Sequence, residues 1–258
     1  METSDMNPRP VFNSKFMKYR SITMIVAALV LALGVGFGGA LIGSGFAARS
    51  GNAITVTGIA RTSATADSVV WTLNSSESAS TASPAVAKVN NDAVILTKYL
   101  TNGGVPADAI TYGAVGTFAN NKYVNGNDTG QILSYRATQT ITVRSKDVKL
   151  IEKLNNGIGA ILSGGANISN WGPQYYVSTL NELRPKLLAE AMKDAKVRAE
   201  SITSAVGSKV GPVLSVTSGP VQVTTPDSVD TTAGGIYDTT SIEKTVTVTV
   251  SVAFKTSK

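Results

Sequence analysis

Neither cysteine nor histidine occurs anywhere in the 258 residues of this chain. Without cysteine there is no disulfide framework, no thiolate nucleophile and no thiol metal site. Without histidine the Ser-His-Asp and Cys-His nucleophile systems are excluded, and the commonest zinc and copper ligand is missing. Aromatic residues are only 6% and charged residues only 16% of the chain. The net charge of +6 is spread thinly: residues 1–49 hold five Lys/Arg against two acids, leaving 18 against 15 over the rest. That small surplus describes an ordinary solvated surface. No Lys/Arg run with interleaved aromatics marks a nucleic-acid partner.

The most prominent feature present is a long uncharged stretch. From Ser21 to Ala48 there are 28 positions without an acidic or basic residue, and about 20 apolar residues in a helix cross a hydrocarbon core. Lys15, Lys18 and Arg20 precede it and Arg49 follows, a bias that favours a cytoplasmic N-terminus. The expected organisation is a short cytoplasmic tail at 1–20, one transmembrane helix at 21–48, and a periplasmic or extracellular domain at 52–256. A long cleaved signal sequence is the competing reading, since Gly45-Phe46-Ala47 supplies a small-x-small end. Signal apolar cores, however, run only about 7–15 residues. Both readings put the domain on the same side of the membrane. Within the span, Gly34/Gly38 and Gly39/Gly43 have the four-residue spacing that lets membrane helices approach closely.

A domain of about 200 residues buries roughly 70% of its unfolded surface, so its core needs no covalent staple. Ala53–Ile59 is β-branched, and Val69, Trp71 and Leu73 alternate with Val70, Thr72 and Asn74; both read as strands. The period then changes. Val86, Val89, Ala93, Leu96 and Leu100 form a helical stripe, with Ser83 as cap, Pro84 in the first turn and Gly103-Gly104 as the stop. Residues 109–122 and 131–144 read as a hairpin joined through Asn125-Gly126, the strongest short turn signal. The oxygen-rich Asn125–Gly130 run is no calcium loop, because Arg136 stands where a bidentate Glu is required. Val148, Ile151, Leu154, Ile158 and Ile161 mark a second helix, and 167–177 a strand.

Thr179-Leu180-Asn181-Glu182 has capping-box spacing. It opens a third helix to about Val206, with Leu187, Ala191, Ala195, Ala199 and Ile202 inward, although Pro185 suggests that regular helix begins only near Arg184. Lys186/Glu190 and Asp194/Arg198 read as its solvated face. Lys209–Thr217 is a strand, and 219–242 reads as a flexible, unpatterned insertion. The chain ends on alternating Val246, Val248, Val250, Val252 and Phe254. The pattern argues for an α+β fold, a mostly antiparallel sheet covered by about three amphipathic helices.

Candidate chemistry is sparse. Asp67, Glu77, Asp92 and Asp108 fall in different elements, so a hydrolase would have to rest on such carboxylates or on a Ser/Lys pair. Trp71, Trp171, Tyr175 and Tyr176 are the aromatics from which a small-ligand pocket would be lined. No residue is assigned to catalysis, to a cofactor or to a metal.

Several ordered blocks resemble the SIMPL-domain family. They are Tyr135-Arg136-Ala137-Thr138-Gln139-Thr140-Ile141-Thr142-Val143, the helix from Asp147, Gly164-Gly165-Ala166-Asn167, Ala191–Glu200 and Gly207–Val216, framed by the opening Ile54–Gly58 and closing Val246–Phe254 strands. The resemblance spans about 52–256. It implies an exported α+β domain without known enzyme activity, linked in some members to oxidative-stress tolerance and in some to ring-like multimers. The anchor and the 219–242 insertion depart from the family pattern. Together these readings lead to the expectation of a non-enzymatic, membrane-anchored interaction module that forms homo-oligomers or binds another envelope protein. A small-ligand-binding envelope protein is the alternative.

Overall fold

The computed structural model describes residues 52–258. The expected span at 21–48, with Gly34, Gly38, Gly39 and Gly43, lies outside the described residues. Among the described residues no helix is long and apolar enough to cross a membrane. The elements run β1 (Ala53–Thr65), β2 (Ser68–Ala79), α1 (Ala82–Asn102), a 3-10 turn at Ala107–Ala109, β3 (Ile110–Tyr112), β4 (Gly116–Val124) and β5 (Asn127–Ser145). Then come α2 (Val148–Gly157), α3 (Gly159–Ser163), β6 (Ile168–Tyr176), α4 (Leu180–Ala205), β7 (Lys209–Ser218), β8 (Gln222–Thr224) and β9 (Glu243–Ser257).

The α+β class and the antiparallel pairing hold, but the strands form two sheets. One has β9 at its centre, with β1 on one side and β7 and β8 on the other. The second follows the order β3-β5-β2-β6, and β4 also pairs with β5. All strand–strand ladders are antiparallel. Each sheet has its own core. Trp71, Leu73, Ile141 and Val143 meet Leu96 and Leu100 of α1 and Ile151 of α2. Val246, Val248, Val250, Val252 and Phe254 meet Leu187, Ala191, Ala195 and Ala199 of α4. The alanine stripe lets α4 lie very close to β1: a Cβ on Gly58 would sit 2.0 Å from the Ala191 carbonyl oxygen. Asp194 fastens the same contact by accepting the Ile59 backbone N–H at 2.8 Å while pairing with Arg198 at 2.7 Å. Its carboxyl is held below the ordinary range, first by that backbone donor.

Several local expectations are corrected. Helix α1 begins at Ala82 after Thr81, not at Ser83, and no side chain caps it. The Thr179 capping box does not close either, and α4 runs from Leu180 through Pro185 without waiting for Arg184. Proline removes one bond of the helix ladder, and Leu183 and Leu187 on either side of it still pack into the core of the first sheet. At the other end of α4, Thr203 rather than Ile202 turns inward. Positions 191, 195, 199 and 203 continue one row at steps of four, and the Thr203 hydroxyl is satisfied by the Ala199 carbonyl at 2.9 Å. The second helix breaks at Ile158 into α2 and α3. The segment 219–242 is not a featureless insertion: Gln222, Val223 and Thr224 are buried and pair with Thr247, Val246 and Thr245 of β9.

Candidate interaction site

Beyond Tyr135, β5 outruns β2, whose ladder ends at Ala79↔Tyr135. Residues 127–134 of β5 pair only with β4, so the two form a ribbon projecting past the sheet. At its tip Asn125 (φ 52) and Gly126 (φ 82) connect Val124 to Asn127. Positive φ at both positions is the type I′ turn that the Asn-Gly dipeptide favours. Asp128 is consumed locally by Asn121 Nδ2 and the Gly130 N–H. The ribbon leaves Tyr123, Val124, Ile132 and Leu133 in solvent, and Phe118 is exposed at its base, Phe118 and Tyr123 by 60% and 64%. An isolated two-stranded ribbon is marginal in water, and one this apolar carries little of the charge that normally protects a free edge.

A second exposed group is Trp171, open by 91%. Between Trp71↔Pro173 and Leu73↔Asn170 the register slips, so one β2 residue faces two on the edge strand β6. Gly172, at φ 85, takes the left-handed conformation that this bulge requires. Asn170 fixes it: its Oδ1 accepts from Trp71 Nε1 at 2.8 Å and from the Gly172 N–H, and its Nδ2 donates to Asn155 Oδ1. The four aromatics expected to line a pocket are therefore dispersed. Trp71 and Tyr175 are core, Tyr176 is half-buried and Trp171 points to solvent.

Where the chain crosses between sheets, two carboxylates organise the joint. Asp67 accepts the Ser178 N–H and hydroxyl, both at 2.7 Å. Burial opposes its ionisation, but these donors, with Lys146 nearby, hold the carboxyl below the ordinary range. Asp238 accepts from Thr240 and Ser241 through both N–H and hydroxyl. It also pairs with Lys244 Nζ at 3.1 Å, and that ammonium donates to the Asp238 carbonyl at 2.6 Å as well. Burial raises the Asp238 pKa, yet the donors outweigh it and push the carboxyl well below its usual range. Ser241 and Lys244 thus share a carboxylate, and Lys244 Nζ is held on Asp238. Tyr237 closes the joint, receiving the Val177 N–H at 2.9 Å and stacking near Tyr176 with centroids 6.0 Å apart. Sequence reasoning missed this cluster, because 237–244 reads there as loop and strand entry.

The other acids singled out by sequence are likewise separated. Glu77 lies 3.8 Å from Lys88, Asp92 is buried against Ser75 Oγ at 2.8 Å, and Asp108 sits in the 3-10 turn. Among the described residues no group of three His, Cys, Asp or Glu is placed to hold a metal.

The class is thus an α+β protein of two antiparallel sheets, each covered by helix on one face and linked by a polar joint. The family model described as SIMPL, a protein of unknown function (DUF541), matches residues 54–254, and the chain belongs to that family. No curated protein matches it.

Proposed function

We propose that the chain is a non-enzymatic interaction module, held at a membrane by residues 21–48 with its domain outside the cytoplasm, and that it acts by self-association. The β4–β5 ribbon supports this reading most directly: it exposes Tyr123, Val124, Ile132 and Leu133 on an arm that runs past the end of β2, with Phe118 exposed at its base. Apolar arms of this kind are stabilised by a covering surface, and a tether that confines copies to two dimensions raises their effective concentration. The glycine spacings Gly34/Gly38 and Gly39/Gly43 add a second contact inside the span. The oxidative-stress link implied by the family resemblance belongs to the same reading, with the assembly or a bound envelope protein as its agent.

The test is the mass of the full-length protein in mild detergent across a dilution series. The wild type is expected to be oligomeric at micromolar concentration. Joint replacement of Phe118, Tyr123, Ile132 and Leu133 by Ser lowers the mass, and Gly39→Leu with Gly43→Leu weakens only the membrane contribution. Monomeric wild type at every concentration rules the reading out.

A further inference from the structure

A cavity of about 430 Å³ lies between the first turns of α4 and the segment 218–237. Leu180, Arg184 and Leu188, spaced at i, i+4 and i+8, present one helix face to it. Val223 and Val248, sealed from solvent, lie beneath it, and Val221 and Ile236 line it from the loop side. Its origin is in the sequence of α4. From Ala191 onward alanines let the helix approach the sheet, as the Gly58 contact shows. Towards the N-terminal end leucines replace them, and the chain after β7 wraps over the gap that remains.

The walls are mixed in polarity but of one charge sign. Branched aliphatic side chains stand beside Ser218, Tyr237 and glycine backbone, no acidic residue is among the lining groups, and Arg184 is the one charged residue there. Among the described residues the ion pairs are Lys88–Glu77, Lys196–Glu200, Arg198–Asp194 and Lys244–Asp238, so Arg184 has no carboxylate partner. The volume lies within the usual range for ligand sites. A cation would meet no carboxylate in such walls. An apolar body with one anionic end finds both an aliphatic lining and a guanidinium able to take a carboxylate bidentately.

We propose that this cavity binds a compact apolar monoanion, a medium-chain carboxylate such as decanoate, with the chain against Leu180, Leu188, Val221 and Ile236 and the carboxylate on Arg184. The site is separate from the β4–β5 ribbon and stands whether or not the protein self-associates.

The experiment uses full-length protein in nanodiscs and a ten-carbon carboxylate carrying a diazirine near its chain end, with labelled peptides mapped by mass spectrometry. Labelling is expected to saturate and to fall on residues 180–188 and 218–237. Decanoate should compete at least tenfold better than decanol. Arg184→Gln, an exposed change that spares the core, should remove that preference, and Val221→Trp should block labelling by filling the space. Labelling that does not saturate, or that spreads over the ribbon and other apolar surfaces, overturns the proposal. So does equal competition by decanol and decanoate on the wild type, or an unchanged preference in Arg184→Gln.

Discussion

Lys244 shows how a single side chain can be misread. It stands two residues before an alternating valine strand and passes for a solvated charge at a strand entry. In the structure its side chain has 0% exposure, and its ammonium is spent on Asp238. Breaking a buried pair leaves an uncompensated charge, so Asp238→Ala should cost about 3–5 kcal/mol in urea unfolding at neutral pH. Lys244→Met should cost much less, because Asp238 keeps its Thr240 and Ser241 donors. The pH dependence has a definite sign. The folded pKa of Asp238 is depressed below its ordinary 3.8, so its contribution is present above that value and lost as pH falls through the folded one. The gap between wild type and Asp238→Ala should stay constant from neutrality to about pH 5 and shrink below about pH 4. A gap that widens on acidification would contradict the assignment. Gly58 is the second decisive residue. A methyl there meets backbone atoms of Ala191 and Ala195 at 2.0 and 2.6 Å, which cannot rotate away. Gly58→Ala should therefore destabilise by at least about 1–3 kcal/mol, and a Tm equal to that of wild type would show that α4 is free to shift.

At the level of elements, periodicity was the legible signal. The stripes Val89-Ala93-Leu96-Leu100 and Leu187-Ala191-Ala195-Ala199 are buried as their spacing predicts, and the Asn125-Gly126 turn forms where the dipeptide stands. What periodicity missed were ends and exceptions: two helix starts that lack their expected caps, and the three-residue strand β8 inside a polar segment. A strand that short carries too few residues to show alternation, and its burial depends on β9, more than twenty residues further on. The ribbon itself was legible as a hairpin, but its projection was not, because sequence does not say where β2 stops. That geometry has a consequence for stability. Gly126→Ala puts a side chain at φ 82, a strain of about 1–2 kcal/mol. Since nothing else packs on the tip, amide exchange should speed up across 121–133 while the global melting temperature stays the same. A cooperative fall in that temperature would mean that the ribbon is part of the main folding unit.

For the whole molecule, alternation tells which face of a strand is buried but not which sheet the strand joins, so a single sheet was expected where two exist. The chain order explains the division. β1 belongs to the sheet around β9; β2 to β6 then build the second sheet without interruption, and α4 returns to cover the first. The second sheet and helices α1 to α3 are thus a continuous insertion, residues 68–176, with a core of their own in Trp71, Leu73, Leu96, Leu100, Ile141 and Ile151. Their ties to the rest run to 237–242: the Ala66 N–H to the Ile242 carbonyl, the Tyr175 N–H to the Thr239 carbonyl, the Val177 N–H and the Tyr176 ring to Tyr237, and the Ile242 side chain packed against the core edge; the Asp67–Ser178 joint ties the two ends of the insertion to each other. A fragment of residues 66–178 keeps the core and loses only the contacts to 237–242. It should therefore unfold cooperatively in urea, at a lower midpoint than the same region in the intact protein, with slow amide exchange at Trp71–Leu73 and Ile141–Val143. The first sheet has no such independence in the linear chain, because β1 and α4, which pack on each other, are separated in sequence by the whole insertion. A fragment 66–178 that shows no cooperative transition would mean that the two cores form as one unit, with the joint at Asp67 and Asp238 inside it.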